Sequence, residues 1–177
     1  MSRKYLNDRW CVRCSRRDIP TPYLRDNIKL FTEDGRPKYK THVIDIGCGN
    51  CRNTRFMRNQ GFHEVKPVDM APPNKCITCV LGKDPLPFRK GYADVILCNY
   101  VLMFLDGQEC KQIFNEILRV AAPGCYLMVE LYPAKDSYMN TEAACLRYQK
   151  ALYEAFRRKG WEKKRYSKMR FIVRKTG

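Results

Sequence analysis

The segment that most restricts the fold of this chain is a short apolar run, residues 42–46, that leads into a glycine-rich loop. It reads His-Val-Ile-Asp-Ile and continues as Gly-Cys-Gly-Asn-Cys over residues 47–51. β-Branched residues favour a buried strand, and Gly47 and Gly49 let the backbone turn sharply and approach a ligand without a Cβ atom in the way. In open α/β folds, ligands bind at loops that follow the carboxyl ends of strands. The segment therefore predicts a strand, a ligand-binding loop and a helix in succession.

Further along the chain, short apolar segments alternate with segments of helical periodicity, which predicts a parallel sheet covered by helices on both faces. The predicted strands cover residues 42–46, 65–69, 77–81, 93–98 and 126–131, and the predicted helices cover residues 21–31, 53–60, 108–120 and 142–159. Two final strands, near residues 161–166 and 169–174, are joined by a short link. They predict an antiparallel hairpin at one edge of the sheet.

The acidic residue before the first glycine narrows the choice of ligand. A dinucleotide-binding loop would read Gly-x-Gly-x-x-Gly and hold a pyrophosphate at a helix N-terminus. Asp45 stands directly before this loop, and its carboxylate would repel a pyrophosphate. An acid in this place suits a ligand with a cationic amino group.

The loop with Asp45 resembles motif I of the class I S-adenosylmethionine-dependent methyltransferases. Other segments resemble that family's motifs in the same order: Asp69 after the second strand, residues 82–88 (Gly-Lys-Asp-Pro-Leu-Pro-Phe), residues 92–102 around the fourth strand, and residues 117–127 at the fifth. The match covers roughly residues 41–131. The resemblance implies a Rossmann-like class I methyltransferase fold, with a mostly parallel seven-stranded sheet, an antiparallel C-terminal hairpin and helices on both faces.

The resemblance also implies a set of site residues for S-adenosylmethionine. Asp69 matches the acid that accepts both ribose hydroxyls, and Asp84, in preference to Lys83, is expected beside the adenine amine. The residues expected to bind the cofactor are Asp45, Gly47, Cys48, Gly49, Asn50, Asp69, Met70, Asp84, Pro85, Leu86 and Asn99. The residues expected near the reacting methyl group are Asn99, Tyr100 and Glu130. Tyr23 and Trp10 are further candidates to cover the cofactor, although anchoring in the core is the favoured interpretation.

The sequence departs from the family pattern at several positions. Cys51 stands where the third motif I glycine is usual, and the segment beside the adenine is one residue shorter than usual. Residues 99–102 read Asn-Tyr-Val-Leu, which is not the Asn-Pro-Pro-Tyr of amino-methylating nucleic-acid enzymes. Two short segments, residues 48–53 and 101–105, resemble the small tellurite-resistance type of methyltransferase.

The charge of the chain is concentrated at its two ends. The net charge is +16, and residues 1–40 and 146–177 hold all of the excess while residues 41–145 are balanced. Clustered Lys and Arg attract phosphates, so a nucleic acid, RNA in the first place, is the favoured methyl acceptor, through the basic N- and C-terminal segments. The densest cluster is Arg157, Arg158, Lys159, Lys163, Lys164 and Arg165, with Trp161 and Tyr166 beside it for stacking. The alternatives are a small-molecule acceptor, or a protein that binds S-adenosylmethionine or nucleic acid without turnover.

Ten cysteines in a chain without a secretory apolar run indicate reduced thiols or metal ligands before disulfides. Three Cys-x-x-Cys pairs occur, at Cys11/Cys14, Cys48/Cys51 and Cys76/Cys79. A zinc site would combine the first and third pairs, but ligand pairs must also converge in space, and no metal is the favoured interpretation.

The length and hydropathy of the chain predict its domain organisation and its location. A chain of 177 residues fits a single methyltransferase domain. Residues 1–40 form a basic N-terminal helical extension, residues 41–131 the cofactor-binding core, and residues 132–177 a basic helix and hairpin. No apolar stretch approaches the length of a membrane span, so a cytoplasmic protein without a membrane partner is expected. The sequence leaves the oligomeric state open.

Overall fold

The computed structural model describes residues 19–70, 76–135 and 137–177. The strands in these ranges are β1 (Val43–Ile46), β2 (Val65–Asp69), β3 (Ile77–Thr78), β4 (Ala93–Asn99), β5 (Ala121–Glu130), β6 (Trp161–Ser167) and β7 (Arg170–Lys175). The α-helices are α1 (Pro22–Asn27), α2 (Arg52–Asn59), α3 (Gly107–Val120) and α4 (Glu142–Arg158), and short 3-10 helices cover Ile28–Thr32, Lys38–Lys40 and Leu102–Phe104. None of the helices described is both long and apolar enough to cross a membrane.

The strands form one sheet in the order β3-β2-β1-β4-β5-β7-β6. Strands β1 to β5 are parallel, and β7 is antiparallel to both β5 and β6. This arrangement confirms the predicted mostly parallel seven-stranded sheet with an antiparallel C-terminal hairpin. Strand order reverses beside β1, and the crevice between β1 and β4 is where open α/β sheets bind ligands.

Both faces of the sheet are buried, because successive side chains of a strand point to opposite sides. On one face, Val95 and Leu97 of β4 pack in a core cluster with residues of α1 and α2. On the other face, Ile96 and Cys98 pack with residues of α3 and α4. Strands buried on two faces read as continuous apolar runs, which is why the central strands stand out in the sequence.

Helix ends follow local capping chemistry. The Asp106 carboxylate accepts from the backbone of Gln108 and Glu109, and the Glu109 side chain accepts from the Asp106 backbone, so a capping box begins α3. Thr141 caps α4 in a similar way. Gly160, with φ of 79°, follows the end of α4 and directs the chain into β6.

Two strands differ in length from the prediction by three or more residues. β3 covers two residues rather than five, because the Val80 N–H turns to the Asp84 carboxylate and leaves the ladder. β5 begins at Ala121, five residues early, and Ala121 pairs with Ala93. The predicted turn at Pro123 and Gly124 is instead an irregularity in the register of β5 against β4.

Candidate functional site

The glycine loop lies at the carboxyl end of β1 and is tied to β2. The backbone N–H groups of Gly47 and Cys48 both donate to the Val68 carbonyl, at 2.8 and 3.1 Å. Gly47 has φ of 66°, and a Cβ atom built on it would collide with the Val101 side chain. Glycine is therefore required at position 47 both for its backbone conformation and for space. Gly49 adopts φ of 53°.

Asp45 lies beneath the loop and not at its surface. Its side chain is 2% exposed, and its Oδ2 accepts a hydrogen bond of 2.6 Å from the Thr54 hydroxyl in α2. Burial raises the pKa of Asp45 to about 7 against the opposing effect of that hydrogen bond. Asp45 thus joins β1 to α2, and its predicted contact with a ligand's amino group stays a prediction.

Asp69, the last residue of β2, contacts the loop directly. Its Oδ2 accepts from the Gly49 N–H at 2.8 Å, which joins the loop after β1 to the end of β2. Met70 follows as a half-buried residue, and Asn50 lies half-buried in the loop. The predicted ribose-binding acid and the glycine loop therefore meet.

The segment predicted beside the adenine is held to α3. Leu86 is 2% exposed, and its N–H donates to the Glu116 carboxylate at 2.6 Å. Arg119 donates to the carbonyls of Leu86 and Phe88. Asp84 is exposed and accepts from the Val80 N–H within its own turn, and Pro85 is exposed. Leu86 serves the core in this structure, and cofactor contacts by residues 84–86 stay predictions.

Asn99 ends β4 with an unusual side-chain environment. It is 7% exposed and lies in register with Glu130, the last residue of β5. Its amide nitrogen lies 3.9 Å from the Met128 sulfur, and its Oδ1 is buried without a hydrogen-bond partner among the residues that the structure describes. A buried acceptor of this kind calls for a donor, and a ligand's ammonium group would supply one.

Tyr100 and Glu130 form a hydrogen-bonded pair beside Asn99. The Tyr100 hydroxyl donates to Glu130 Oε2 at 3.1 Å, and Tyr100 adopts the left-handed conformation with φ of 62°. Burial raises the pKa of Tyr100 to about 12. Burial also raises the pKa of Glu130, which is 2% exposed, although the hydrogen bond from Tyr100 opposes that rise. The three residues predicted near the methyl group therefore come together.

Two arginines that the sequence did not assign to this group lie beside it, together with Tyr23, one of the two residues predicted to cover the cofactor or anchor in the core. Arg170, in register with Glu130 across β5 and β7, places its guanidinium 4.9 Å from the centre of the Tyr23 ring. Tyr23, on α1, is buried, and burial raises its pKa to about 12. Arg52 lies 5.9 Å from the centre of the Tyr100 ring. Trp10, the other predicted cover, lies outside the described residues.

Three thiols converge at the glycine loop. Cys51 Sγ lies 3.5 Å from Cys48 Sγ and 2.8 Å from Cys76 Sγ. The structure thus groups Cys76 with Cys48/Cys51, whereas Cys79 Sγ contacts the Pro85 carbonyl at 3.8 Å. The hydrogen bond between the Cys51 and Cys48 thiols lowers the pKa of Cys51. The sequence suggested Cys76/Cys79 with Cys11/Cys14 as the one possible zinc set, and Cys11 and Cys14 lie outside the described residues.

The basic residues near the C-terminus divide between the two ends of strand β6. β6 runs in the same direction as β5. Arg165 and Lys168 therefore lie toward the strand ends that carry Glu130, whereas Arg158 and Lys159 lie toward the opposite strand ends. The predicted stacking role of Trp161 is wrong, because Trp161 is 3% exposed and packs on Phe156. Tyr166 is 45% exposed.

One protein-family model matches part of the chain. A family model described as a methyltransferase domain matches residues 44–129. A search of curated protein sequences finds no significant match.

Solved structures of similar fold cover most of the chain. A proposed S-adenosyl-L-methionine-dependent methyltransferase from Methanococcus maripaludis superposes with a TM-score of 0.61 at 11% identity, over 85% of this chain and 83% of that one. A protein from Pyrococcus horikoshii gives a TM-score of 0.61 at 14% identity, over 88% and 90%. The 1,6-didemethyltoxoflavin-N1-methyltransferase of Burkholderia thailandensis, crystallised with bound 1,6-didemethyltoxoflavin and S-adenosylhomocysteine, gives a TM-score of 0.60 at 16% identity, over 88% of this chain and 79% of that one. At these identities the likeness establishes the fold.

Proposed function

Because the chain carries a class I, S-adenosylmethionine-dependent methyltransferase domain over residues 44–129, we propose that it transfers a methyl group to a nucleic acid, with RNA as the favoured acceptor. The observation that carries the choice of acceptor is the placement of β6. This basic edge strand ends at the same side of the sheet as Glu130.

The residues at the crevice fit S-adenosylmethionine. Gly47 and Gly49 leave the loop backbone bare of Cβ atoms, and Asp69 stands beside them as the ribose acceptor. The buried Asn99 Oδ1 has no partner among the described residues, so it is available to the ammonium of the methionine part. Together these residues would hold the cofactor across the ends of β1, β2 and β4.

The cofactor supplies an activated methyl group on a sulfonium sulfur. A lone pair of the acceptor forms the new bond to carbon while the carbon–sulfur bond breaks and its electron pair stays on sulfur. Positioning provides much of the rate in such an in-line displacement. Where the acceptor atom carries a proton, Glu130 takes it, because a carboxylate with a raised pKa is a better base near neutral pH. Tyr100 orients that carboxylate through its hydrogen bond.

The basic edge suits a polyanion. Lys163 and Arg165 are exposed on β6, and within the described part of the chain neither forms an ion pair with an acidic side chain. A strand of seven residues spans about 23 Å, so phosphates bound along β6 would lead from Lys159 to Arg170, the register partner of Glu130. An RNA strand on this path would deliver a base to the pocket.

A small-molecule acceptor is the second candidate, and one observation favours it. Glu130 is 2% exposed and Tyr23 is 7% exposed, so the acceptor side is closely covered. A base of a polymer must leave its stack to enter such a pocket, whereas a small acceptor enters without that cost.

The test is methyl transfer from labelled S-adenosylmethionine to purified RNA, DNA and a small-metabolite extract, together with RNA binding over a range of salt concentrations. We expect label in RNA, and an affinity that falls steeply with salt. The double variant Lys163→Glu/Arg165→Glu should weaken RNA binding and lower the slope of log affinity against log salt by about 1 to 2.

The matched control is Lys111→Glu, an exposed lysine on α3, which should leave both quantities unchanged. Label that enters only the metabolite extract, with no salt-dependent RNA binding, would contradict the nucleic-acid acceptor and support the small molecule. Equal loss of RNA binding in the control would contradict the role of β6.

A further inference from the structure

Cys48, Cys51 and Cys76 bring three sulfur atoms together from two separate segments, the glycine loop and the residue before β3. Their Sγ atoms all lie within 4.8 Å of one another. We propose that these three cysteines form a binding site for a thiophilic metal ion of the zinc(II) class, with the three thiolates as ligands and a fourth position left open. The proposal does not depend on the methyl acceptor.

The spacing of the thiols is close to what zinc requires. Zinc–thiolate bonds of about 2.3 Å in a tetrahedral arrangement place sulfur atoms roughly 3.8 Å apart. The Cys48–Cys51 separation of 3.5 Å is near that value, and the Cys51–Cys76 separation of 2.8 Å must open by about 1 Å. Cys76 is half-buried, so its side chain has room for this adjustment. Soft thiolate ligands select zinc and copper(I) over magnesium or calcium.

The backbone conformation of Cys51 is a second observation that supports its thiol as a metal ligand. Cys51 has φ of 60°, in the left-handed region, which costs a residue with a Cβ about 1–2 kcal/mol and glycine nothing. Its N–H donates to the Cys48 carbonyl at 2.8 Å and so closes a tight turn around Gly49. Cysteine therefore stands at a position that favours glycine, and its sulfur lies beside two other sulfurs. This combination indicates that the thiol itself is needed, as a metal ligand would be.

The charges around the cluster suit an anionic zinc–thiolate group. Three thiolates and one zinc(II) ion carry a net charge of −1. Arg52, Arg55 and Arg58 belong to α2, the helix that begins directly after Cys51, so the sequence next to the cluster is basic. Among the described residues, no fourth histidine, cysteine or carboxylate atom joins the three within the same radius. In the proposed site, the fourth position is taken by water or an exogenous ligand.

A bound ion would fix the loop to the segment that follows Asp69. Cys48 and Cys51 flank Gly49, whose N–H binds Asp69, and Cys76 precedes β3, which pairs with β2. Occupation of the site should therefore stabilise the folded chain by mass action.

The experiment uses the full chain, reduced and stripped of metal under anaerobic conditions. Zinc stoichiometry is measured by elemental analysis after dialysis, and cadmium is titrated while thiolate-to-metal charge-transfer absorption is followed. We expect one ion per chain and a higher melting temperature with zinc. Cys51→Ser and Cys76→Ser should each weaken binding at least about 10- to 100-fold, since loss of a ligand exceeds the effect of losing a second-shell contact.

Cys145→Ser is the matched control, because Cys145 is buried in α4 outside the cluster, and it should bind as the wild type does. A readout without variants is alkylation mapped by mass spectrometry, in which zinc should protect Cys48, Cys51 and Cys76 together. The proposal fails if binding survives both cluster variants, or if a Cys11→Ser/Cys14→Ser variant alone abolishes it. It also fails if zinc protects none of the three thiols.

Discussion

The Tyr100 hydroxyl donates a hydrogen bond to the Glu130 carboxylate, with 3.1 Å between the two oxygens. The bond joins the residue after β4 to the last residue of β5, and there Glu130 is buried and Tyr100 is half-buried. Burial disfavours the charged form of each group and so raises both pKa values. In the proposed function, the pair acts as one unit that holds or accepts a proton beside the methyl donor.

Replacement of Glu130 tests its role as a base. Glu130→Gln keeps the shape and removes the proton acceptor, so methyl transfer should fall about 100-fold or more if the acceptor carries a proton. In the wild type the rate should rise with pH through the raised pKa of Glu130, because the carboxylate form is the active one. The acidic limb of the pH–rate profile should disappear in Glu130→Gln.

Tyr100→Phe provides the control for that limb. The Tyr100 hydrogen bond stabilises the charged carboxylate and lowers the pKa of Glu130. Without this hydrogen bond, the acidic limb of the pH–rate profile should move to higher pH while the variant stays active. An unchanged rate in Glu130→Gln, or an unchanged limb in Tyr100→Phe, would show that proton transfer to Glu130 is not part of the reaction.

Arg119 should contribute to stability far more than an ordinary surface arginine. Its guanidinium binds Glu116 and the carbonyls of Leu86 and Phe88 at 2.6–2.8 Å. We expect Arg119→Ala to lower the free energy of unfolding by about 2–3 kcal/mol, measured by urea denaturation.

The comparison is Arg157→Ala, which breaks an exposed pair of the same i, i+3 spacing with Glu154. That change should cost less than about 0.5 kcal/mol. Similar losses in the two variants would contradict the role assigned to Arg119 in holding the segment after β3.

Asp34 should make stability depend on acid pH. Its hydrogen bond from Arg36 lowers the pKa of its carboxyl from 3.8 to about 2. A lowered pKa contributes stability that is present above pH 3.8 and is lost as the pH falls toward 2. Asp34→Asn should therefore lose about 1 kcal/mol at neutral pH, a value reduced for partial exposure, and the difference should shrink as the pH falls from 4 to 2.

The exposed Asp26, which forms no ion pair within the described ranges, provides the control. Asp26→Asn should show no such dependence. A difference between Asp34→Asn and wild type that persists at pH 2 would mean that the ionised carboxylate, paired with Arg36 and Arg174, is not its cause.

Local parts of the site were predictable because they lie within one contiguous unit. A buried strand, two glycines and a following helix determine the loop geometry, and the acid at the end of the neighbouring strand must meet the loop. The Gly49–Asp69 hydrogen bond confirms that meeting. The contact that Asp45 makes was harder to predict. Its carboxylate accepts a hydrogen bond from the hydroxyl of Thr54, which lies in the next helix.

The acceptor side depends on register that the sequence does not reveal. Glu130 meets Asn99 only because β5 shifts against β4 between Ala93 and Val95, and it meets Arg170 through the pairing of β5 with β7. Strand ends predicted Asn99, Tyr100 and Glu130 as neighbours. No sequence pattern pointed to Arg170.

The spacing of the cysteines in the sequence did not predict which of them lie together in the fold. The Cys-x-x-Cys pattern groups Cys76 with Cys79, but β3 ends at Thr78 and Cys79 turns toward the Pro85 carbonyl. Cys76 instead meets Cys48 and Cys51 across the ends of two strands. Contacts of this kind follow from sheet order and loop length together, so pair spacing alone cannot identify them.

The most direct test of the central claim is isothermal titration of S-adenosylmethionine into the wild type, Gly47→Val, Asp69→Ala and Gly91→Val. Gly47 and Gly91 share φ of 66°, but a Cβ at Gly47 meets Val101, whereas a Cβ at Gly91 meets nothing within 4 Å. We predict that the wild type and Gly91→Val bind the cofactor, that Gly47→Val does not, and that Asp69→Ala binds at least about tenfold more weakly for loss of a charged hydrogen-bond acceptor. Equal binding by all four proteins would contradict a cofactor site at the glycine loop.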